Sequence, residues 1–290
     1  MKYKLAVIGS PIKHSLSPFI HEKAFLMLGI ECEYERTEVK EDELGDFINY
    51  AKSNGICGFN ITMPLKRNVM DYLDEIDGEA LLYGAVNTVK ITNGKLKGYN
   101  TDAEGYKKSL EETGFEMKGK NIVFIGAGGA AVTVALKAAM EKAEKITILN
   151  RNISRAENAK EYIFDKTGAD ISAMELNSSN LAKLLKNTDL LINATPLGMS
   201  GTSSDYENLS FMDSLKKDAL VSDFIYNPPE TKFLKHAKEL ELKTINGLGM
   251  LIYQGIISDG IYLEKELDYK KLKDYIASEY IKANIQSQKD

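Results

Sequence analysis

Six small residues, Gly126-Ala127-Gly128-Gly129-Ala130-Ala131, follow the apolar run Asn121 to Ile125 and open an amphipathic stretch that leads into a second apolar run, Lys145 to Leu149. Strand, glycine turn, helix and strand in this order form a dinucleotide-binding fingerprint. Gly126 permits the tight turn, Gly128 lets backbone approach a pyrophosphate, and Ala131 in the third fingerprint position keeps helix and strand close. The helix N-terminus, with Gly129 and Ala130, offers free N–H groups and a positive dipole end to phosphates. An NAD site places a carboxylate about 20 residues further on, for the ribose hydroxyl. Here that place holds Asn150, Arg151 and Asn152, and Arg155 follows. A guanidinium without a carboxylate suits a 2′-phosphate, which it meets with charge-assisted hydrogen bonds. The pattern favours NADP over NAD as cofactor. A ligand-free glycine turn and a solvated arginine are the plain alternatives.

A second stretch, Asn60 to Lys66 ("NITMPLK"), starts as the end of a buried strand and finishes with a proline and a lysine. Proteins of the α/β class place ligands at the carboxyl ends of their strands. Asn60, Thr62 and Lys66 are therefore expected to leave the core at that edge, with Pro64 stiffening the exit. The plain alternative for a lysine there is an ordinary surface position. The formal net charge of -5 gives no basic footprint for nucleic acid. Small anions must be met by individual Lys or Arg side chains. His14, His21 and His236 fit no metal spacing, and Cys32 and Cys57 form no C-x-x-C pair, so no metal is expected and a reducing cytoplasm fits. No signal peptide and no apolar run of membrane-spanning length is visible.

These residues need a scaffold, and apolar runs alternating with amphipathic stretches give the α/β pattern of parallel sheets. At 290 residues, 43% hydrophobic and 27% charged, the chain suits a soluble protein of two domains. Strands are expected over 3–9, 32–39 and 55–62, with helices over 17–30 and 41–53. Ser17 is expected as the N-cap of the first helix and Pro18 as its first residue. Asn93-Gly94 marks a hairpin within 85–102. A second series starts near 120 with strand, turn, helix and strand, continues with buried strands in 188–195 and 219–224, and ends in helical periodicity from about Leu248 to Lys282. The domain boundary falls between Asp102 and Gly119.

Several blocks carry a family resemblance: 9–21 ("GSPIKHSLSPFIH"), 60–66, 84–88 ("GAVNT"), 100–105 ("NTDAEG"), 126–131, Asn150-Arg151, 193–199 ("NATPLGM"), 223–228 ("DFIYNP") and 246–255 ("NGLGMLIYQG"). In content and order they resemble the shikimate dehydrogenases over essentially the whole chain. The resemblance implies a monomeric or homodimeric two-domain α/β enzyme that reduces 3-dehydroshikimate to shikimate with NADPH, on the way to aromatic amino acids. It implies a substrate domain over 1–103 completed by helices in 248–290, and a Rossmann-type doubly wound NADP domain over 104–247. It assigns Ser15 and Ser17 to the substrate carboxylate, and Asn60, Thr62, Asn87 and Gln254 to the ring hydroxyls. Lys66 and Asp102 become the proton-transfer pair, with Asp102 orienting Lys66 and keeping it charged. Thr195, Met199 and the backbone near Gly247 border the nicotinamide, and Tyr226 approaches the substrate. Asn152 stands where many NADP-dependent members carry Thr. The competing readings are a quinate or dual quinate/shikimate dehydrogenase, and a non-catalytic NADP-binding module that senses a metabolite. The latter predicts loss of Lys66 or Asp102.

Overall fold

Strand β1 (Tyr3–Gly9) becomes buried on both faces after its first two residues, the signature of an interior strand in a parallel sheet. The computed structural model describes residues 2–287. The chain divides into two compact units, 1–105 with 252–290, and 106–251.

In the first unit, β1 pairs in parallel with β2 (Cys32–Glu38) on one side and β3 (Gly58–Ile61) on the other. Helices α1 (Ser17–Leu28) and α2 (Leu44–Ser53) make the two crossovers. The sheet continues through β5 (Thr88–Thr92) and β6 (Lys95–Tyr99), both antiparallel to their predecessors, and ends at the short β4 (Glu75–Ile76), which precedes α3 (Gly78–Tyr83). The strand order is β2-β1-β3-β5-β6-β4. Asn93 and Gly94 close the β5–β6 hairpin with φ of 53° and 77°, the double left-handed conformation expected of that pair. One core gathers Leu44, Phe47, Phe59, Leu65, Val69, Val89 and Leu96 beside this sheet.

The entry to α1 differs from the sequence expectation. The helix begins at Ser17, so Pro18 is its second residue, and Leu16 occupies the N-cap without a side-chain bond. The Ser15 hydroxyl instead accepts the Ser17 N–H at 3.3 Å. Pro18 has no N–H to satisfy, so the hydroxyl two residues upstream of Ser17 is enough to close the turn.

The second unit takes over within α4 (Asp102–Glu111). Its strands are β7 (Asn121–Ile125), β8 (Lys145–Asn150), β9 (Ser172–Glu175), β10 (Leu190–Asn193), β11 (Leu220–Asp223) and β12 (Lys243–Ile245). All pair in parallel, in the order β12-β11-β10-β7-β8-β9. Four helices connect them: α5 (Gly129–Met140), α6 (Ile153–Thr167), α7 (Ser178–Leu185) and α8 (Lys232–Glu239). Such an order reverses direction between β7 and β10, the place where doubly wound sheets bind dinucleotides. The chain returns to the first unit within α9 (Leu248–Leu263) and closes with α10 (Tyr269–Ser287). The apolar periodicity expected from 248 to 282 is thus two helices, interrupted where Glu264 adopts a positive φ of 52°. Among the described residues no helix is long and apolar enough to cross a membrane, and no group of His, Cys, Asp and Glu could hold a metal ion.

Candidate active site

Lys66 is placed by its neighbours. Thr62 N–H donates to the Ile8 carbonyl just past the end of β3, and the buried Leu65 turns the chain back by donating to the Thr62 carbonyl. The Lys66 carbonyl then accepts from Val86 N–H at 2.7 Å. With its backbone fixed, the side chain extends to Asp102, and Nζ lies 2.6 Å from Oδ2. Asp102 opens α4, where the helix N-terminus favours a carboxylate. Its own N–H donates to the Asn100 side chain at 3.0 Å. Asn87 Nδ2 donates to Asp102 Oδ1 at 2.9 Å and approaches Gln254 Oε1 at 3.3 Å. Both carboxylate oxygens are therefore occupied, which fixes the plane of the group. The side chains of Lys66 and Asp102 are only 28% and 12% exposed, so the pair is partly shielded from water while the ammonium keeps further N–H directions for a ligand.

The other expected substrate residues of this unit behave differently from one another. Ser15 donates to Ser17 Oγ at 3.2 Å, so the two hydroxyls are side by side at the start of α1. Thr62 is half-buried at the carboxyl end of β3, and Gln254 is nearly buried on α9. Asn60 faces inward: its Oδ1 accepts from the hydroxyls of Tyr34 at 2.8 Å and Tyr262 at 3.1 Å, and its Nδ2 donates to Thr88 and Ser258.

In the second unit the glycine turn has the shape a pyrophosphate needs. Gly126 has φ of +110°, its N–H donates to the Leu149 carbonyl, and a Cβ there would stand 2.8 Å from the Ala194 carbonyl oxygen. No other residue fits this position. Ala127 is half-buried and Gly128 caps α5, while Gly128, Gly129 and Ala130 are exposed at its first turn and Ala131 is buried against the sheet. The exposed N–H groups, with no side chain beyond a methyl in front of them, suit a bound phosphate. After β8, Asn150 Nδ2 donates to the Asn152 carbonyl, and Asn152 Oδ1 caps α6 by accepting Ser154 N–H. Arg151 and Arg155 are exposed beside that cap, available to a 2′-phosphate. Gly247 N–H donates to the Ile225 carbonyl, and a Cβ on Gly247 would lie 2.0 Å from the Phe224 oxygen.

A buried polar cluster that sequence reasoning did not single out holds the two remaining loops of this unit. Asn193 Oδ1 accepts from Thr195 Oγ1 at 2.7 Å and from Tyr206 at 2.9 Å, and its Nδ2 donates to Asp223 Oδ1 at 3.0 Å. Asp223 also accepts from Thr231 at 2.6 Å and from Ile225 N–H. Burial raises the Asp223 pKa, although three donors work against that rise. Together these bonds set the loops that carry Thr195, the exposed Met199 and the half-buried Tyr226. Asn193 and Asp223 lie inside recognised blocks, but nothing in their spacing tells a buried clasp from a ligand.

Residues 7–89 match the model of the shikimate dehydrogenase substrate binding domain, and residues 108–208 match that of shikimate / quinate 5-dehydrogenase. The chain belongs to the shikimate dehydrogenase family. A relative from Methanocaldococcus jannaschii, shikimate dehydrogenase (NADP(+)), is 44% identical over 278 residues, 96% of this chain and 97% of the relative. The shikimate 5-dehydrogenase of Thermus thermophilus, solved with NADP(H) and shikimate, superposes with a TM-score of 0.82 at 30% identity, covering 95% of this chain and 99% of its own. The ligand-free 5-ketofructose reductase of Gluconobacter sp. strain CHM43 superposes with a TM-score of 0.84 at 37% identity, over 96% and 99% of the two chains. The family's architecture therefore also carries a reductase named for a different substrate.

Proposed function

We propose that this chain catalyses the reversible NADPH-dependent reduction of 3-dehydroshikimate to shikimate, in the cytoplasm, as a step of aromatic amino acid biosynthesis. The observation that carries the mechanism is the Lys66–Asp102 pair at 2.6 Å, with Asn87 holding the second carboxylate oxygen. NADPH supplies the hydride. As the ketone oxygen gains negative charge, the Lys66 ammonium stabilises it and delivers a proton, which yields the hydroxyl. Asp102 aims Lys66, and in the oxidative direction the same lysine, as the neutral amine, takes the proton back. Ser15 and Ser17 hold the substrate carboxylate, and Thr62, Asn87, Gln254 and Tyr226 hold the rest of the molecule.

The division of labour gives the substrate to 1–103 with 248–290 and the cofactor to 104–247. Residues 126–131 take the pyrophosphate, Asn150, Arg151, Asn152 and Arg155 the 2′-phosphate end, and Thr195, Met199 and Gly247 the nicotinamide end. The purified protein tests the reading directly. It should consume NADPH with 3-dehydroshikimate, and in reverse it should oxidise shikimate with NADP faster than quinate. Activity with quinate alone, or none with either acid, would overturn it.

A further inference from the structure

Behind Asp102 the hydrogen bonds continue into the core of the first unit without a break. Asn87 Oδ1 accepts from Thr88 Oγ1 at 3.0 Å, Thr88 Oγ1 accepts from Asn60 Nδ2 at 3.2 Å, and Asn60 Oδ1 accepts from the hydroxyls of Tyr34 and Tyr262. All five side chains are buried, Asn60 at 4% exposure and Thr88 at none. Every link has the same polarity. A phenol that remains protonated has one proton to give, and burial pushes both phenols well above their ordinary range, with the Asp259 carboxylate adding to the rise in each. Two such donors aimed at one atom require it to be the amide oxygen of Asn60, which turns Nδ2 toward Thr88 and Ser258. The Thr101 N–H, donating to Asn87 Oδ1 at 2.9 Å, demands the same orientation of the next amide and leaves Asn87 Nδ2 for Asp102.

The two phenols are themselves held in place. The ring of Tyr34 stacks on His21, with centroids 4.5 Å apart and planes 7° from parallel, and buried His21 is bound through Nδ1 to Asp259 at 2.6 Å. Tyr262 lies over Gly58, where an added Cβ would stand 2.4 Å from its ring. Asn60, in contrast, has its oxygen taken by two donors and its two N–H groups directed at Thr88 and Ser258, so it has no hydrogen-bonding capacity left for a ligand.

We propose that Tyr34, Tyr262 and Asn60 are positioning residues that hold the Asn87 amide against Asp102 from beneath, and that Asn60, contrary to what the family resemblance assigns, does not bind a ring hydroxyl. The proposal rests on the reading of Lys66 and Asp102 as the proton-transfer pair. Steady-state kinetics on Tyr34→Phe, Tyr262→Phe, the double variant and Asn60→Ala test it, with shikimate and with analogues each lacking one ring hydroxyl. The double variant should lose roughly fivefold or more in kcat/KM for shikimate, about the worth of one buried hydrogen bond, while the KM for NADP stays unchanged. Asn60→Ala should lose the same factor with shikimate and with every deoxy analogue on which Asn87→Ala, measured alongside, also loses kcat/KM, because Asn60 acts through Asn87. A penalty that disappears with an analogue on which Asn87→Ala still loses kcat/KM would make Asn60 a ligand in its own right and overturn the proposal. So would kcat/KM for shikimate within twofold of the unmodified protein in the double variant. The single tyrosine variants serve if the double variant fails to fold, and their expected loss is at least twofold each. Lys66→Ala separates the two readings. If it keeps its turnover, the proton-transfer assignment fails; if it loses turnover while the tyrosine variants do not, only the positioning role fails.

Discussion

At the scale of single residues, the chemistry turns on a few charges in specific surroundings. If Lys66 is the proton donor, Lys66→Ala removes both that donor and the charge facing the developing alkoxide. Its turnover number should fall by roughly 10² to 10⁴, with much less change in shikimate KM. Asp102→Asn should also slow turnover, and if the two act as one unit the double variant should be little worse than Lys66→Ala. Full additivity, measured at saturating NADP, would mean that they act independently. Arg151 raises a separate question, because an exposed arginine after a strand is common and only a ligand reveals its purpose. If it neutralises the 2′-phosphate, Arg151→Ala should weaken NADP by about 1.5 to 3 kcal/mol and leave NAD nearly unaffected. Equal weakening of both, by comparison of their Michaelis constants, would remove it from the site.

At the scale of elements, the start of α1 shows how one side chain can serve structure and ligand together. The Ser15 hydroxyl accepts the Ser17 N–H and donates to its neighbour's hydroxyl, so it stabilises the helix entry in the absence of any ligand. Ser15→Ala should therefore cost about 0.5 to 2 kcal/mol of stability, the range for lost helix caps, as read by denaturant unfolding. If Ser15 also binds the substrate carboxylate, the same variant should lose more kcat/KM with shikimate than with its neutral methyl ester. Equal losses with acid and ester would leave the serine a cap and nothing more. The expectation that Ser17 caps the helix failed for a local reason: a serine followed by proline looks like a cap in sequence, and only the backbone shows that the helix has already begun.

At the scale of the whole molecule, stability should depend on pH through the second unit. Asp189 accepts from Lys216 and, at 2.7 Å, from Asn121 N–H. Burial pushes its pKa up, but these partners outweigh burial and leave it below the ordinary value. A carboxylate depressed in the folded state adds stability above its unfolded pKa of about 3.9, and that contribution is lost as the pH falls through the lower folded value. Asp189→Asn should thus be less stable than the unmodified protein near neutrality, and the gap should narrow on acidification below about pH 4; a gap independent of pH would refute this. Local pattern was enough to place the principal strands, the Asn93-Gly94 hairpin and the glycine turn at 126–131, because turn chemistry and alternation of apolar residues act between near neighbours in the chain. The family's motifs pointed to Lys66, Asp102 and Arg151 as site residues, and the structure brings the first two together. Edge strands such as β9 and β12 are short and only partly buried, so they carry little apolar signal of their own. Asn60 looked in sequence like any polar residue leaving a strand, and the clasp of Asn193, Tyr206 and Asp223 looked like motif and loop. Their roles depend on which donors and acceptors from distant segments meet inside the fold, and the tertiary structure alone decides that, since a buried polar group is defined by its partners.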